Sequence, residues 1–354
     1  MNAQQKIIDR LREYLLVPGE PDARLKPKWL ARRLDVPERQ LLGALAHCVR
    51  DGLVEMHWEV YCPVCGRSPG EFGTLKEAHS KVECTACESC FDLHLDRDVR
   101  VTFSATESIR RLRGSGGVPQ ALEGDSEAQT RGLDLLLIPS FWELFSGEAP
   151  ADDESLHIGR VTILFTDLRG STAMYQERGD PRAYHMVREH FAILGRCIDR
   201  NHGSLVKTIG DAVMASFASG AEAVRAAHDA QAELHAQAQS MGAELVLKAG
   251  VHSGACLAVR LNDRLDFFGG AVNTAARVQG LSLGNDVVVT DTVLADIEAE
   301  RIENKPRVRV IESFNAQLRG INAPVRVHRL IEVEAETAPQ HYLRRLACQT
   351  EAIS

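Results

Sequence analysis

The sequence has no apolar run long enough to cross a membrane. Its longest candidate, around Leu133 to Phe145, is broken by Pro139 and by charges, short of the roughly 18–20 residues that a membrane helix needs. The N-terminus, MNAQQKIIDR, carries no apolar stretch behind a basic start, so no secretory signal and a cytoplasmic chain are expected. Positive charge is also short. Lysine and arginine number 41 against 49 acidic residues, a net charge of −8, which gives no reason to expect nucleic acid or an acidic membrane as the main partner. Aromatic residues make up only 5%, and no internal repeat is visible. What is present is the composition of a globular protein, 44% hydrophobic and 25% charged over 354 residues, enough for two domains with separate cores. Nine cysteines without an export signal read as thiols and metal ligands rather than disulfides.

The chain divides into segments. Residues 1–60 hold helical patterns and a strand-like run, and 61–110 hold a cysteine cluster. Residues 111–157 form a linker: Arg113 to Pro119 is Gly-rich punctuation, and Glu148 to Glu154 is acidic. Between them, Leu133 to Phe145 is too apolar for a free linker and is expected to pack on one or both domains. From 158 to 333 the order of elements reads as one α/β unit, and 334–354 is a tail without a clear signal.

The long unit carries the chemistry. Val161-Thr-Ile-Leu-Phe165 reads as a buried strand, followed by Asp167, Leu168, Gly170, Ser171 and Thr172. A carboxylate at a strand end suits a hard cation. Gly170 permits close backbone approach, and the N–H groups of a following helix can face phosphate oxygens. Taken alone, this is also an ordinary helix cap. Gly203 to Phe217 alternates on both sides of Gly210-Asp211 and predicts a hairpin, with Asp211 either a turn residue or a second metal carboxylate. Asn273 and Arg277 lie four apart on an expected helix and share a face.

Together, Phe165-Thr-Asp-Leu-Arg-Gly-Ser-Thr172, Lys207-Thr-Ile-Gly-Asp211 and Gly269-Gly-Ala-Val-Asn-Thr-Ala-Ala-Arg277 resemble the catalytic domain of class III adenylyl and guanylyl cyclases, over residues 158–333. The resemblance implies an α+β fold with a ferredoxin-like βαββαβ core, paired head to tail in a homodimer. By the same resemblance, Asp167, Asp211 and the Leu168 carbonyl hold two Mg²⁺ or Mn²⁺ ions, Asn273 orients the ribose, and Arg277 meets charge on the α-phosphoryl group. Family members that use ATP read adenine with a Lys and an Asp, which Lys207 and Asp266 match; members that use GTP have Glu and Cys there. A Lys ammonium can donate to adenine N1, and a carboxylate can accept from the exocyclic amine. The expected reaction is therefore adenylate cyclase chemistry, ATP to 3′,5′-cyclic AMP and pyrophosphate, with guanylate cyclase or a silent nucleotide-binding module as alternatives. Two departures stand out. Arg319 occupies the place of a phosphate-binding Lys, and the stretch from Gly254 to Asp266 resembles that of the short-armed subclass.

Upstream, Cys62-Pro-Val-Cys65 and Cys84-Thr-Ala-Cys87 are two C-x-x-C knuckles at zinc-ribbon spacing, expected to hold one structural Zn²⁺; Cys90 and His94 are surplus. Lys28 to Asp35, Pro37 to His47 and Gly52 to Val60 read as helix, turn, helix and wing strand. The layout resembles a winged helix joined to a zinc ribbon, and also uncharacterised domains found ahead of bacterial cyclase domains. Such layouts are common in DNA binders, but residues 1–60 lack a concentrated basic face. A regulatory domain that contacts a protein or an unknown effector is expected instead.

Overall fold

The computed structural model describes residues 3–17, 24–113, 129–145, 147–170, 180–241, 245–301 and 305–333. Ser171 and Thr172, most of the Gly-rich punctuation after Arg113, and the tail lie outside the described residues.

The chain begins with three helices, α1 (Ala3–Leu15), α2 (Pro27–Arg33) and α3 (Glu38–Arg50). Ile7, Ile8, Leu11 and Leu15 recur at helical spacing and bury one face of α1, while Pro27 opens α2 where no amide is needed. Strand β1 (Val54–Val60) follows, with β2 (Gly70–Phe72), β3 (Lys81–Glu83), β4 (Cys90–Asp92) and β5 (Val99–Ala105). β1 is the centre of a three-stranded antiparallel sheet in the order β2-β1-β5, and β3 pairs with β4. The short helix α4 (Glu107–Arg113) closes this unit.

The apolar segment folds as two short helices, α5 (Gly132–Leu136) and α6 (Pro139–Leu144). Leu133, Leu135, Leu136, Leu137, Ile138 and Phe141 are all buried. Nor is the acidic stretch loose: the Ser80 amide donates to Glu154 at 2.7 Å and the Leu75 amide donates to Glu148.

The larger unit comprises β6 (Leu156–Leu168), α7 (Asp180–Arg200), β7 (Ser204–Ile209), β8 (Ala212–Phe217), α8 (Gly220–Met241), β9 (Leu247–Leu261), β10 (Arg264–Phe268), α9 (Gly270–Gln279), β11 (Val287–Thr290), α10 (Asp291–Ala299), β12 (Val308–Ala316) and β13 (Val325–Glu332). The succession β6-α7-β7-β8-α8-β9 follows the expected βαββαβ order. Strand order is β12-β13-β11-β9-β6-β8-β7, with β10 folded back on β9 alone. β9 runs well past the expected Leu245–His252, because its second half pairs with both the start of β6 and β10. Among the described residues, no helix is long and apolar enough to cross a membrane.

The two faces of this sheet have different covers. Leu164, Val213, Ala215, Phe217, Leu247 and Val251 form one core with residues of α7, α8 and α10. On the opposite face, Val161, Ile163, Phe165, Met214, Ala258, Leu265 and Phe267 belong to the same core as the N-terminal helices, β1, β5, α5 and α6. Polar bonds fix the junction. His157 and the segment Leu93–Leu95 exchange backbone bonds of 2.8 and 3.1 Å, and the Asp96 carboxylate accepts from the Gly159 and Arg160 amides. Arg39 bridges the Leu137 carbonyl at 2.7 Å and the Gly203 carbonyl at 2.6 Å.

On the same face, α9 crosses β9 at Gly250. A Cβ on Gly250 would lie 2.1 Å from the Gln279 amide nitrogen and 2.3 Å from its Cα, a backbone collision that no side-chain rotation relieves. Gly250→Ala is expected to push α9 off the sheet and destabilise the fold by about 1–3 kcal/mol or more, read as a lower denaturant midpoint.

Candidate functional site

β6 is buried along most of its length and carries Asp167 as its next-to-last residue. Its neighbour β8 begins just after the β7–β8 turn, where Gly210 takes a φ of +64° and Asp211 follows. The pairing of Thr166 with Val213 therefore sets Asp167 beside Asp211, and the Leu168 amide donates to Asp211 Oδ2 at 3.3 Å. Gly170, two residues beyond Leu168, takes a φ of +75°, a conformation that favours glycine. Burial, reinforced by the negative charge of Asp211, pushes the Asp167 carboxyl above its ordinary pKa. Lys248, its partner across β9, acts in the opposite direction. Two carboxylates side by side at a sheet end, with the Leu168 carbonyl between them in sequence, form a donor set suited to a hard divalent cation, whose charge offsets their repulsion.

The expected base readers also meet. Lys207 Nζ contacts Asp266 Oδ2 although 59 positions separate them in sequence, and Asp266 Oδ1 accepts from the Phe267 amide at 2.8 Å. Asp266 is only 6% exposed. Lys207 lies four residues before Asp211, on the strand that runs into the Gly210-Asp211 turn.

Asn273 and Arg277 do share a face of α9, and both are exposed, while Ala271, Thr274, Ala275 and Val278 pack inward. Arg319 is exposed in the turn that joins β12 to β13, several strands from β6 and, by the strand register, at the opposite end of the sheet from Asp167. Within one chain it does not join the carboxylates.

Sequence reasoning missed two residues here. Lys248 is recognisable only once the β6–β9 register is known. His190 on α7 is fully buried, with both ring nitrogens unpartnered, and burial holds its pKa down to about 4 while the Asp211 charge acts the other way. A single histidine in an amphipathic helix gives no signal of this.

The four cysteines converge as expected. All four Sγ atoms lie within 4.8 Å of one another, with Cys62–Cys87 at 3.7 Å and Cys65–Cys84 at 3.6 Å. Thiolates about 2.3 Å from a common tetrahedral ion would be about 3.8 Å apart, so the donor set fits a metal. Both knuckles turn alike, with the Gly66 amide on the Cys62 carbonyl and the Glu88 amide on the Cys84 carbonyl. Ser89 and nearby amides hold the Cys62 thiol down to about 6. Cys90 and His94 stand outside the set; His94 instead lies against His157, ring centroids 5.1 Å apart.

Residues 154–319 match the family described as the adenylate and guanylate cyclase catalytic domain, and residues 2–123 match a family of unknown function (DUF5939). An adenylate cyclase of Anabaena cylindrica is 31% identical over 170 residues, 42% of this chain and 34% of that protein. Adenylate cyclase 2 of Rhizobium meliloti is 28% identical over 146 residues, 37% of this chain and 40% of that protein. The chain spans well under half the length of these curated relatives. A Trypanosoma brucei adenylate cyclase structure aligns at TM-score 0.42 and 24% identity, over 49% of this chain and 89% of that one.

The carboxylate pair has a consequence for stability. A carboxyl whose folded pKa exceeds its unfolded value of 3.8 favours folding while protonated, and that advantage is lost as pH rises through the folded pKa. Asp167→Asn is therefore expected to raise the melting temperature of the metal-free protein at pH 7, and by less at pH 4. Mn²⁺ should stabilise the parent protein and not the variant, measured by calorimetry with and without the ion.

Proposed function

We propose that this chain, whose residues 154–319 form a class III adenylyl/guanylyl cyclase catalytic domain, converts ATP to 3′,5′-cyclic AMP and pyrophosphate. The observation that carries the choice of ATP is the meeting of Lys207 with the buried Asp266. A fixed donor and a fixed acceptor side by side match the N1 and exocyclic amine of adenine. Guanine presents the opposite polarity at both positions and leaves buried groups unpaired, a mismatch that can reach about 10⁴–10⁵ in specificity.

Asp167, Asp211 and the Leu168 carbonyl would hold two Mg²⁺ or Mn²⁺ ions. Bound there, the ions would lower the pKa of the ribose 3′-hydroxyl and offset phosphate charge. The remaining roles belong to the chain. Gly170 lets backbone amides approach the phosphates, with Ser171 and Thr172 assigned the same task from sequence. Asn273 orients the ribose so that the 3′-oxygen lines up with the α-phosphorus, and Arg277 meets the charge that builds on the α-phosphoryl oxygens. Arg319 binds the terminal phosphates as a planar fork in place of a point charge.

The distance between the carboxylates and Arg319 supports a site shared in a homodimer, one chain supplying Asp167 and Asp211 and its partner supplying Lys207, Asp266, Asn273, Arg277 and Arg319. Residues 1–60 are read as winged-helix-like: three helices lead into β1, and the Leu25–Phe103 bridge adds a further pairing. Residues 61–110 are read as a zinc-ribbon-like unit with one structural Zn²⁺. The role assigned to this N-terminal part is regulatory, through a protein or effector rather than DNA.

Purified protein is expected to form cyclic AMP from ATP with Mg²⁺ or Mn²⁺, and Asp167→Ala to abolish it; cyclic GMP from GTP instead would overturn the assignment of Lys207 and Asp266. Asp167→Ala and Arg277→Ala, each inactive alone, should regain partial activity when mixed. No recovery from confirmed heterodimers would count against a shared site. Elemental analysis should find one zinc per chain, lost in Cys84→Ser.

A further inference from the structure

Asp266 sits on a strand that is hydrogen-bonded along one edge only. Among the described residues β10 pairs with β9 and with no other strand, so the backbone ladder alone leaves its outer side free to shift. Side-chain contacts on both faces hold it, and Leu265 is buried in the same core as Phe267. Successive residues of a strand point to opposite faces. Asp266 reaches Lys207 on β7, and Phe267, its neighbour, turns the other way and is buried to 2% exposure.

The ring that Phe267 meets comes from outside the catalytic domain. Trp142, on α6, lies edge-on to it with centroids 5.5 Å apart and planes at 77°. α6 also lies against β7, and Val206, the residue before Lys207, packs into the same core. One short helix therefore bears on both strands that carry the base-reading pair.

That helix is itself fixed from behind. The Trp142 Nε1–H donates to the Leu136 carbonyl, which ties α6 to α5. Phe141 stands edge-on to Trp58, centroids 6.2 Å apart at 81°, and Trp58 stacks on Phe72 at 6.1 Å and 13°. Trp58 belongs to β1, which runs directly into Cys62. Two sets of ring contacts, joined through the adjacent residues Phe141 and Trp142 of α6, thus lead from the sheet beside the cysteine cluster to the strand of Asp266.

We propose that Trp142 is a positioning residue for nucleotide selection, holding Phe267 so that the Asp266 carboxylate stands opposite Lys207 at the geometry a purine edge requires. The proposal rests on the reading of Lys207 and Asp266 as base readers. Hydrogen-bond discrimination decays steeply with angle, and a displacement of about 1 Å from a remote change can cost up to about a hundred-fold. An edge-to-face pair fixes orientation as well as distance, which an aliphatic contact of the same volume does not.

The test uses the full chain and measures kcat/KM for ATP and for GTP, with the affinity of both nucleotides measured by calorimetry. Trp142→Ala should lower the ATP-over-GTP ratio by roughly ten-fold or more, mainly through the KM for ATP, with kcat changing less. Trp142→Phe should restore most of the ratio, whereas Trp142→Leu, which also guards against a failure of the alanine variant to fold, should not. Leu30→Ala, on α2 in the same N-terminal core, serves as a control: it should lower the denaturant midpoint and leave the ratio unchanged. An unchanged ratio in destabilised Trp142→Ala and Trp142→Leu would overturn the proposal, as would an equal loss in Leu30→Ala. A parent protein with no preference for ATP would overturn the reading of Lys207 and Asp266 on which it rests.

Discussion

The molecule depends on how it covers the second face of its large sheet. β6 is buried on both faces, and the side chains of Val161, Ile163 and Phe165 point away from the layer that α7, α8 and α10 form. Each such side chain is worth about 1.5–3 kcal/mol when withdrawn from water, so a bare face of this size is untenable. α9 covers part of it by crossing at Gly250, and the N-terminal unit covers more through α6 and its neighbours. The two parts of the chain therefore share one core. Their relative position is set by apolar packing and by directed bonds such as those of Asp96 and Arg39.

Charge is treated in two opposite ways within that sheet. Asp286, fully buried at the start of β11, pairs with Arg329 of β13 and accepts from Ser282 and the Gly284 amide. Arg329 also donates to Glu312 at 3.0 Å. Every charge there has an opposite partner, and removing one would leave the other buried alone at a cost of about 3–5 kcal/mol. At the end of β6 the arrangement is reversed: Asp167 and Asp211 lie side by side, and Lys248 across the strand acts against their repulsion. A fold that closes one ion pair so completely could have closed the other. On the proposed reading, a bound cation would offset the two like charges kept together at this end of the sheet.

Much of this was legible in the sequence where chemistry and local pattern coincide. Gly210-Asp211 between alternating runs predicts a hairpin, and the hairpin is present; the C-x-x-C pairs predict one thiolate cluster, and the four sulfurs converge. Asn273 and Arg277 fall on one helical face because their spacing requires it. What could not be read is pairing at long range. Gly254 interrupts the apolar pattern of β9, yet the strand continues because the first residues of β6 and all of β10 bond to it. Lys248 becomes the neighbour of Asp167 only through that register. The contact of Trp142 with Phe267 joins residues more than a hundred positions apart, and no local periodicity encodes it.

The exposure of Asn273 and Arg277 follows the same logic in reverse. An amphipathic helix buries one side and leaves the other to solvent, and α9 does so with Ala271, Thr274, Ala275 and Val278 inward. Stability of the monomer places no demand on the identity of the outward residues. Their proposed chemistry does: an amide for a ribose and a guanidinium for a phosphoryl group must reach a nucleotide whose phosphates lie at the carboxylates. In a single chain, Arg319 is four strands away from those carboxylates, on the far side of the sheet. On the shared-site reading, a second copy would supply the guanidinium that the same chain cannot. The N-terminal unit covers the face beside α9 and leaves Asn273 and Arg277 open, so its docking does not occupy the side chains that a partner would need.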